Sequence, residues 1–269
     1  MKKASIVIPT MNKLSRLRLI LKALESQVDE TVEVIVIFDG CSEKVLCDFK
    51  KLKLGFETIQ IIHSENVGRS KARNSGILKA SGEIVIFLDD DRIPCSDFIS
   101  KHVMSHKNGR FAIVGQRNNV EYPEEVLEQF YLNGLTESDY RGIDGDSIPE
   151  PYEPAKKIAR LIFGQLIERI TFSTGNSSAR RQDLIAVNMF DENFTGWGLE
   201  DTDLGYRLGK SGVKIKRNFS IVNYHLVHPV NKSQQSSENQ KNFEYFLRKI
   251  KGDKASIWMA KFLNKLIYR

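Results

Sequence analysis

Apolar positions fall into two patterns that alternate along the first half of the chain. Ala4 to Ile8, Val32 to Phe38, Thr58 to Ile62 and Ile84 to Leu88 are short apolar runs. Such runs predict strands covered on both faces, as in a parallel sheet. Between them, apolar residues recur at helical spacing, as at Leu14, Leu17, Leu21 and Leu24, and a helix is expected from about Gly68 to Ala80. Strand alternating with helix describes an α/β fold with a mostly parallel, doubly wound sheet and right-handed crossovers. The carboxyl edge of that sheet would gather Pro9-Thr10, Asp39-Gly40 and Asp89-Asp90-Asp91, where open α/β sheets bind ligands. Asn12 is expected to cap the first helix, and Ser96 the helix after the acid triplet.

The second half is less regular. Gln116 to Pro154, rich in charged and turn residues, reads as long loops. Helical spacing returns from Ala155 to Arg169, a strand is expected at Ile170 to Thr174, and helices at Arg181 to Asn188 and Glu200 to Ser211. Further strands are expected at Val213 to Lys216 and Ile221 to Tyr224. Ser233 to Ser237 reads as a linker into a terminal helical region.

Composition narrows the function classes. With 269 residues, 41% of them hydrophobic, the chain is long enough to bury a large core. Cys41, Cys47 and Cys95 have neither disulfide nor zinc-type spacing and fit a reducing cytoplasm. No apolar run has the length of a signal-peptide core or a membrane span, so the Asn-X-Ser/Thr triplets are expected to be chance matches. The net charge of +6 resides in residues 241–269, where eight Lys and Arg face Glu244 and Asp253. The rest is neutral, against the basic surface of a nucleic-acid binder.

Three adjacent carboxylates repel one another unless they are solvated or neutralised, and an oxygen cluster of this type suits Mg²⁺ or Mn²⁺. An acidic turn before a helix is the plainer alternative. Asp39 after the second strand can accept from a base N–H or a ribose hydroxyl, or close an Asx turn. Arg69, Lys71 and Arg73 crowd a helix start that can face an anionic ligand. Phosphate-loop and dinucleotide-binding glycine patterns are missing. Gly196-Trp197-Gly198 makes an aromatic platform on which a sugar ring can stack, and Glu200, Asp201 and Asp203 enter the helix that follows. One acid there is ordinary helix-start stabilisation; three beside an aromatic suggest a general base. His225 and His228 follow an apolar strand, where a histidine can complete an acid-rich metal site.

In this order the segments resemble the inverting family-2 glycosyltransferases of GT-A fold, and the carboxyl half is similar to the galactosyltransferase and chondroitin-polymerase type. The resemblance spans roughly residues 4–230. Its most specific part is Trp197-Gly198-Leu199-Glu200-Asp201-Thr202-Asp203, close to the family's W-G-G-E-D-x-D/E signature, with Leu199 in place of the second glycine. The resemblance implies a GT-A domain over 1–230, with a nucleotide-binding half (1–115) and an acceptor-binding half (116–230), then a basic helical tail (231–269). It further implies that Asp39 contacts uracil, that Pro9 and Thr10 contact the nucleoside, and that Arg73, Asp89 and Asp90 belong to the nucleotide-sugar site. Asp91 and His225 would hold Mn²⁺ or Mg²⁺. Trp197, Gly198 and Glu200 would contact the donor sugar or acceptor, and Asp201 would be the base. The implied reaction moves a hexose or N-acetylhexosamine from a UDP-sugar to a hydroxyl of a glycan or lipid-linked glycan, in surface polysaccharide synthesis.

A sugar-nucleotide pyrophosphorylase would need a glycine-rich basic signature near the first strand, which is absent. A non-catalytic carbohydrate-binding relative would not need the acids retained here. In the tail, Phe243, Phe246, Leu247, Ile250, Trp258, Phe262 and Leu266 recur at helical spacing among cations. This pattern suits peripheral membrane contact through 241–269 on the cytoplasmic face, or packing against the rest of the chain.

Overall fold

The computed structural model describes residues 2–149, 153–229 and 231–267. Nine strands form one sheet: β1 (Ala4–Thr10), β2 (Val32–Asp39), β3 (Thr58–His63), β4 (Ile84–Leu88), β5 (Arg92–Pro94), β6 (Phe111–Val120), β7 (Ile148–Pro149), β8 (Asn176–Arg180) and β9 (Lys214–Leu226). Their order is β3-β2-β1-β4-β8-β6-β9-β5, with β7 on β6. The helices are α1 (Leu14–Leu24), α2 (Glu43–Phe49), α3 (Arg69–Lys79), α4 (Phe98–Ser105), α5 (Glu124–Asn133) and α6 (Glu137–Asp146). They continue with α7 (Glu153–Phe163), α8 (Gln165–Ile170), α9 (Arg181–Ala186), α10 (Glu200–Lys210), α11 (Lys232–Lys249) and α12 (Lys254–Ile267).

The runs of β1, β2 and β4 are buried on both faces because neighbouring side chains on a strand point to opposite sides, whereas β3, at the sheet edge, is only half-buried and its Ile62 is exposed. Ile6, Ile8, Val34, Val36, Phe38, Ile84, Ile86 and Leu88 join one core with α1 and α4. Val7, Ile35, Ile37, Val85 and Phe87 join a second core with α3 and α10. The first four strands are parallel, as expected. Beyond them the sheet is mixed: β8 runs antiparallel to both β4 and β6, and β9 is parallel to β6 but antiparallel to β5.

Several local expectations give way to tertiary structure. The segment expected as loops contains the second half of β6, all of α5 and α6, and β7. Tyr140 packs against the first core and Ile143 is fully buried in it, and Thr136 and Asp139 form a reciprocal capping box that starts α6 despite Gly142 and Gly145. The strand expected at Ile170 to Thr174 is instead the end of α8 and a connection, and the strand is the polar sequence of β8. The two strands expected at 213–216 and 221–224 are one, β9, whose register on β6 shifts between Val114 and Gln116. Ser233 to Ser237 is not a linker but the first turns of α11, capped by Asn231, whose side chain accepts from the Gln234 amide. Lys13 rather than Asn12 occupies the N-cap position of α1, without a side-chain capping bond, and Asn12 instead accepts from the Ser42 amide at 2.9 Å. Asp97, not Ser96, precedes α4.

The tail is packed structure. Phe243, Phe246 and Ile250 of the α11 region and Met259, Ala260 and Leu263 of α12 form a third core with Ile167, Ile170 and Phe194. Residues 268–269 and the side chain of Leu266 lie outside the described residues. Among the described residues no helix is long and apolar enough to cross a membrane.

Candidate active site

The parallel strands β2, β1 and β4 lie side by side and end on Asp39, Thr10 and the acid triplet, so the sheet alone brings three distant segments to one edge. Asp39 is buried and accepts from the amides of Val67 (2.7 Å) and Gly68 (3.2 Å), fixing the loop into α3. Gly40 follows at φ +65°, where a Cβ would stand 2.4 Å from the Asn66 nitrogen, so only glycine fits there.

The three acids have three environments. Asp90 points inward, accepting from the Thr10 hydroxyl at 2.8 Å, and its burial pushes the carboxyl up to about 6. Asp89 is also desolvated, yet the Arg92 and Arg73 guanidinium groups hold it well below the usual range. They pair with its two oxygens at 3.0 and 3.1 Å. Asp91 turns the other way, toward His228 (Nε2–Oδ2 3.2 Å) and the Lys13 ammonium (2.9 Å).

Asp91, His225 and His228 each offer a ligand atom, all within 4.8 Å of one another. His225 sits at the end of β9, which reaches Asp91 because β9 pairs with β5 through Arg92 and His225. Burial pushes its imidazole down to about 4, which keeps it neutral as ligation requires. Its Nδ1 lies 3.0 Å from the Asn119 amide oxygen and donates to it, leaving Nε2 free to ligate. One carboxylate with two imidazoles suits a divalent transition ion such as Mn²⁺ better than oxygen-seeking Mg²⁺. His228 extends the expected pair of ligands; its place beside the strand-end His225 was the available sequence signal.

Arg73 ties the two halves together. Its buried guanidinium meets Asp89 (3.1 Å) from one half, and Glu200 (3.3 Å) and Asp201 (3.8 Å) from the other. Burial alone would lower its pKa; the three carboxylates raise it. Glu200 is buried and its carboxyl is pushed up, by desolvation first and by Asp201 second. Asp201 opens the first turn of α10 and accepts from the Thr174 amide (3.0 Å) and hydroxyl (2.7 Å), which fixes its carboxylate plane. Asp203, the third acid, is turned away and pairs with Arg207 and Lys249.

The loop before α10 is held from α11, which the sequence did not reveal. Asn242 donates to the carbonyls of Thr195 (3.0 Å), Trp197 (3.2 Å) and Gly198 (2.9 Å), and Glu238 accepts from the Trp197 amide at 2.8 Å. Leu199 takes the left-handed conformation at φ +70°, so the glycine-type backbone persists without glycine, at a cost of about 1–2 kcal/mol. A cavity of about 500 Å³ opens between these pieces, bordered by Arg73, Asp89, Trp197, Gly198, Glu200 and Asp201. Pro9, Thr10, Asp39, Asp91 and His225 do not line it; they stand along the sheet edge outside it.

A parallel sheet edge carrying an acid turn, beside a second half that brings a Trp-Gly loop and a helix-start carboxylate to the same cavity, defines the GT-A class of fold. The chain belongs to glycosyl transferase family 2, which residues 5–184 match, and residues 165–229 match a family described as the N-terminal domain of galactosyltransferase. It is 29% identical over 261 residues to an uncharacterized glycosyltransferase, YfnE, of Bacillus subtilis, covering 85% of this chain and 66% of that protein. It is 26% identical over 253 residues to the chondroitin synthase of Pasteurella multocida, covering 88% of this chain but only 26% of the synthase. The chain thus spans about two thirds of the first relative and about a quarter of the second. The crystal structure of GalNAc-T7 with UDP, GalNAc and Mn²⁺ superposes with a TM-score of 0.66 at 17% identity, over 92% of this chain and 48% of that one.

Proposed function

We propose that the protein is a metal-dependent, inverting glycosyltransferase that moves a hexose or N-acetylhexosamine from a UDP-sugar to a hydroxyl of a glycan or glycoconjugate, in polysaccharide synthesis. The observation that carries this reading is the Arg73 bridge, which holds a helix-start carboxylate and the acid turn against one cavity of sugar size. UDP, GalNAc and Mn²⁺ in the GalNAc-T7 structure support the choice of donor and metal.

In this reading Pro9, Thr10 and Asp39 line the nucleoside; Asp39 keeps lone pairs for uracil although both oxygens hold loop amides. Asp89 and Arg73 border the donor, and the Asp91, His225 and His228 set would hold a metal ion, which would supply charge stabilisation to the departing diphosphate. Trp197 offers its ring face to the sugar, with Gly198 and Glu200 beside it. Asp201, fixed by Thr174, takes the proton of the acceptor hydroxyl as it attacks the anomeric carbon. Attack from the side opposite the diphosphate inverts the configuration, giving a β-linked product from an α-linked UDP-sugar.

The test combines binding with turnover. UDP is expected to raise the melting temperature in the presence of Mn²⁺ and much less in its absence, because a ligand specific for the folded state must stabilise it. Asp201→Asn is expected to keep that shift and lower transfer by about 10²–10⁴-fold. Turnover retained in Asp201→Asn would remove its assignment as the base.

A further inference from the structure

Two helices present an apolar surface that nothing among the described residues covers. On α7, Ile158, Leu161 and Ile162 are 63%, 89% and 68% exposed, while Ala159 and Phe163 face the third core. On α12, Trp258 and Phe262 are 51% and 42% exposed, while Met259, Ala260 and Leu263 are buried on the opposite face. The two helices meet where the half-buried Phe163 ring lies 5.5 Å from Trp258, which stacks on Phe262 at 5.6 Å. A patch of this kind marks an interaction site in a water-soluble fold.

The charges around it identify the occupant. Lys254, Lys261 and Lys265 are exposed and share the stripe of Trp258 and Phe262, since residues 254, 258, 261, 262 and 265 repeat at helical spacing. Beside them Arg248, Lys251 and Lys261 line a shallow groove between the two terminal helices, with Leu247 and Ile257. An apolar face with interfacial tryptophan and a cationic margin matches the two layers of a bilayer surface, acyl chains below and anionic head groups above. A second copy fits poorly, because a two-fold contact through this face would set the lysine stripes against each other.

We propose that the outer faces of α7 and α12 form a single docking surface for an anionic lipid bilayer. This surface adds α7, which lies outside the charged tail, to the contact, with Leu161 as the most exposed of its described large apolar side chains. Ala260, Leu263 and Asn264 on the inner side of α12 line the cavity, so the bilayer would lie roughly one helix diameter, about 10 Å, from it. The inference stands on the surface alone and not on the donor chemistry, so UDP stabilisation reports separately on the proposed function.

The test is flotation of the full chain with vesicles of phosphatidylcholine, alone or with about one third phosphatidylglycerol. The wild type is expected to bind the mixed vesicles ~tenfold better than the neutral ones, with a blue shift of tryptophan emission and weakening in high salt. Leu161→Glu is expected to lower vesicle binding by ~tenfold while keeping the wild-type melting temperature, because Leu161 is 89% exposed; Trp258→Ser is expected to lower it as much, with a small fall in melting temperature from the lost Phe163 and Phe262 ring contacts. Should either variant fold poorly, Ile158→Ser serves in its place. Wild-type protein that stays behind with both vesicle types overturns the proposal, as do variants that float like the wild type. A concentration-dependent dimer dissolved by Leu161→Glu also overturns it, by assigning the face to a second copy.

Discussion

Arg73 shows how much of the site rests on one side chain. It is 5% exposed and faces Asp89, Glu200 and Asp201, so removing its charge takes the ion pair from buried Glu200 and leaves Asp89 with Arg92 alone. Arg73→Met is expected to lower unfolding free energy by about 3–5 kcal/mol in urea titrations, and Arg73→Lys by less. Both variants should lose most of the UDP-induced shift. The arginine was visible in the sequence as one cation among three at a helix start, but its partners were not. Asp89 lies 16 residues away and Glu200 127 residues away. Likewise Asp89, Asp90 and Asp91 are chemically identical in sequence, and their separate environments arise from what each meets in space.

At the scale of elements, α11 and α4 do work that their sequences conceal. Asn242 on α11 supplies donors to three carbonyls of the Trp-Gly loop, and Asn242→Ala strips them at a cost of about 1–3 kcal/mol. Transfer is expected to fall in that variant while UDP still raises the melting temperature, a split that an assay of each would show. Helix α4 anchors β8 through His102, whose ring nitrogens lie 2.9 Å from the Ser178 hydroxyl and 3.1 Å from the Asn176 oxygen. Burial pushes His102 down to about 3, far below the unfolded value near 6.5. The unfolded chain therefore binds the proton first, so this stability is complete above about pH 6.5 and is lost as pH falls toward 3. Urea unfolding at pH 7 and pH 5 should show a loss of about 2 kcal/mol from this group, which His102→Gln largely removes. The polar strand β8 was hidden from apolar periodicity because three of its four buried side chains are Asn176, Ser177 and Ser178; His102 meets Asn176 and Ser178, and His106 at the end of α4 lies 2.8 Å from the Ser178 hydroxyl.

At the scale of the whole molecule, the terminal helices close the second half of the fold. Removing residues from 232 onward would expose Ile167, Ile170 and Phe194 and release the Trp-Gly loop. The truncated chain is expected to lose its cooperative melt, read by circular dichroism, and truncation is therefore not a clean probe of the lipid surface. The sequence by itself determined the first four strands, the helices α1 and α3 between them, the acid turn and the Trp-Gly-Leu-Glu-Asp signature, but not α2, whose sequence reads as a polar segment. These are local patterns: apolar period, strand ends and a contiguous motif whose side chains need no distant partner to be recognised. Only the tertiary structure decided the antiparallel second half, the helices α5 and α6, the ligand role open to His228 and the clamp from α11. Each of those depends on partners far apart in the chain. A polar strand is stable only between neighbours that satisfy it, and a histidine or asparagine acquires its role from the atoms that folding brings within hydrogen-bond reach.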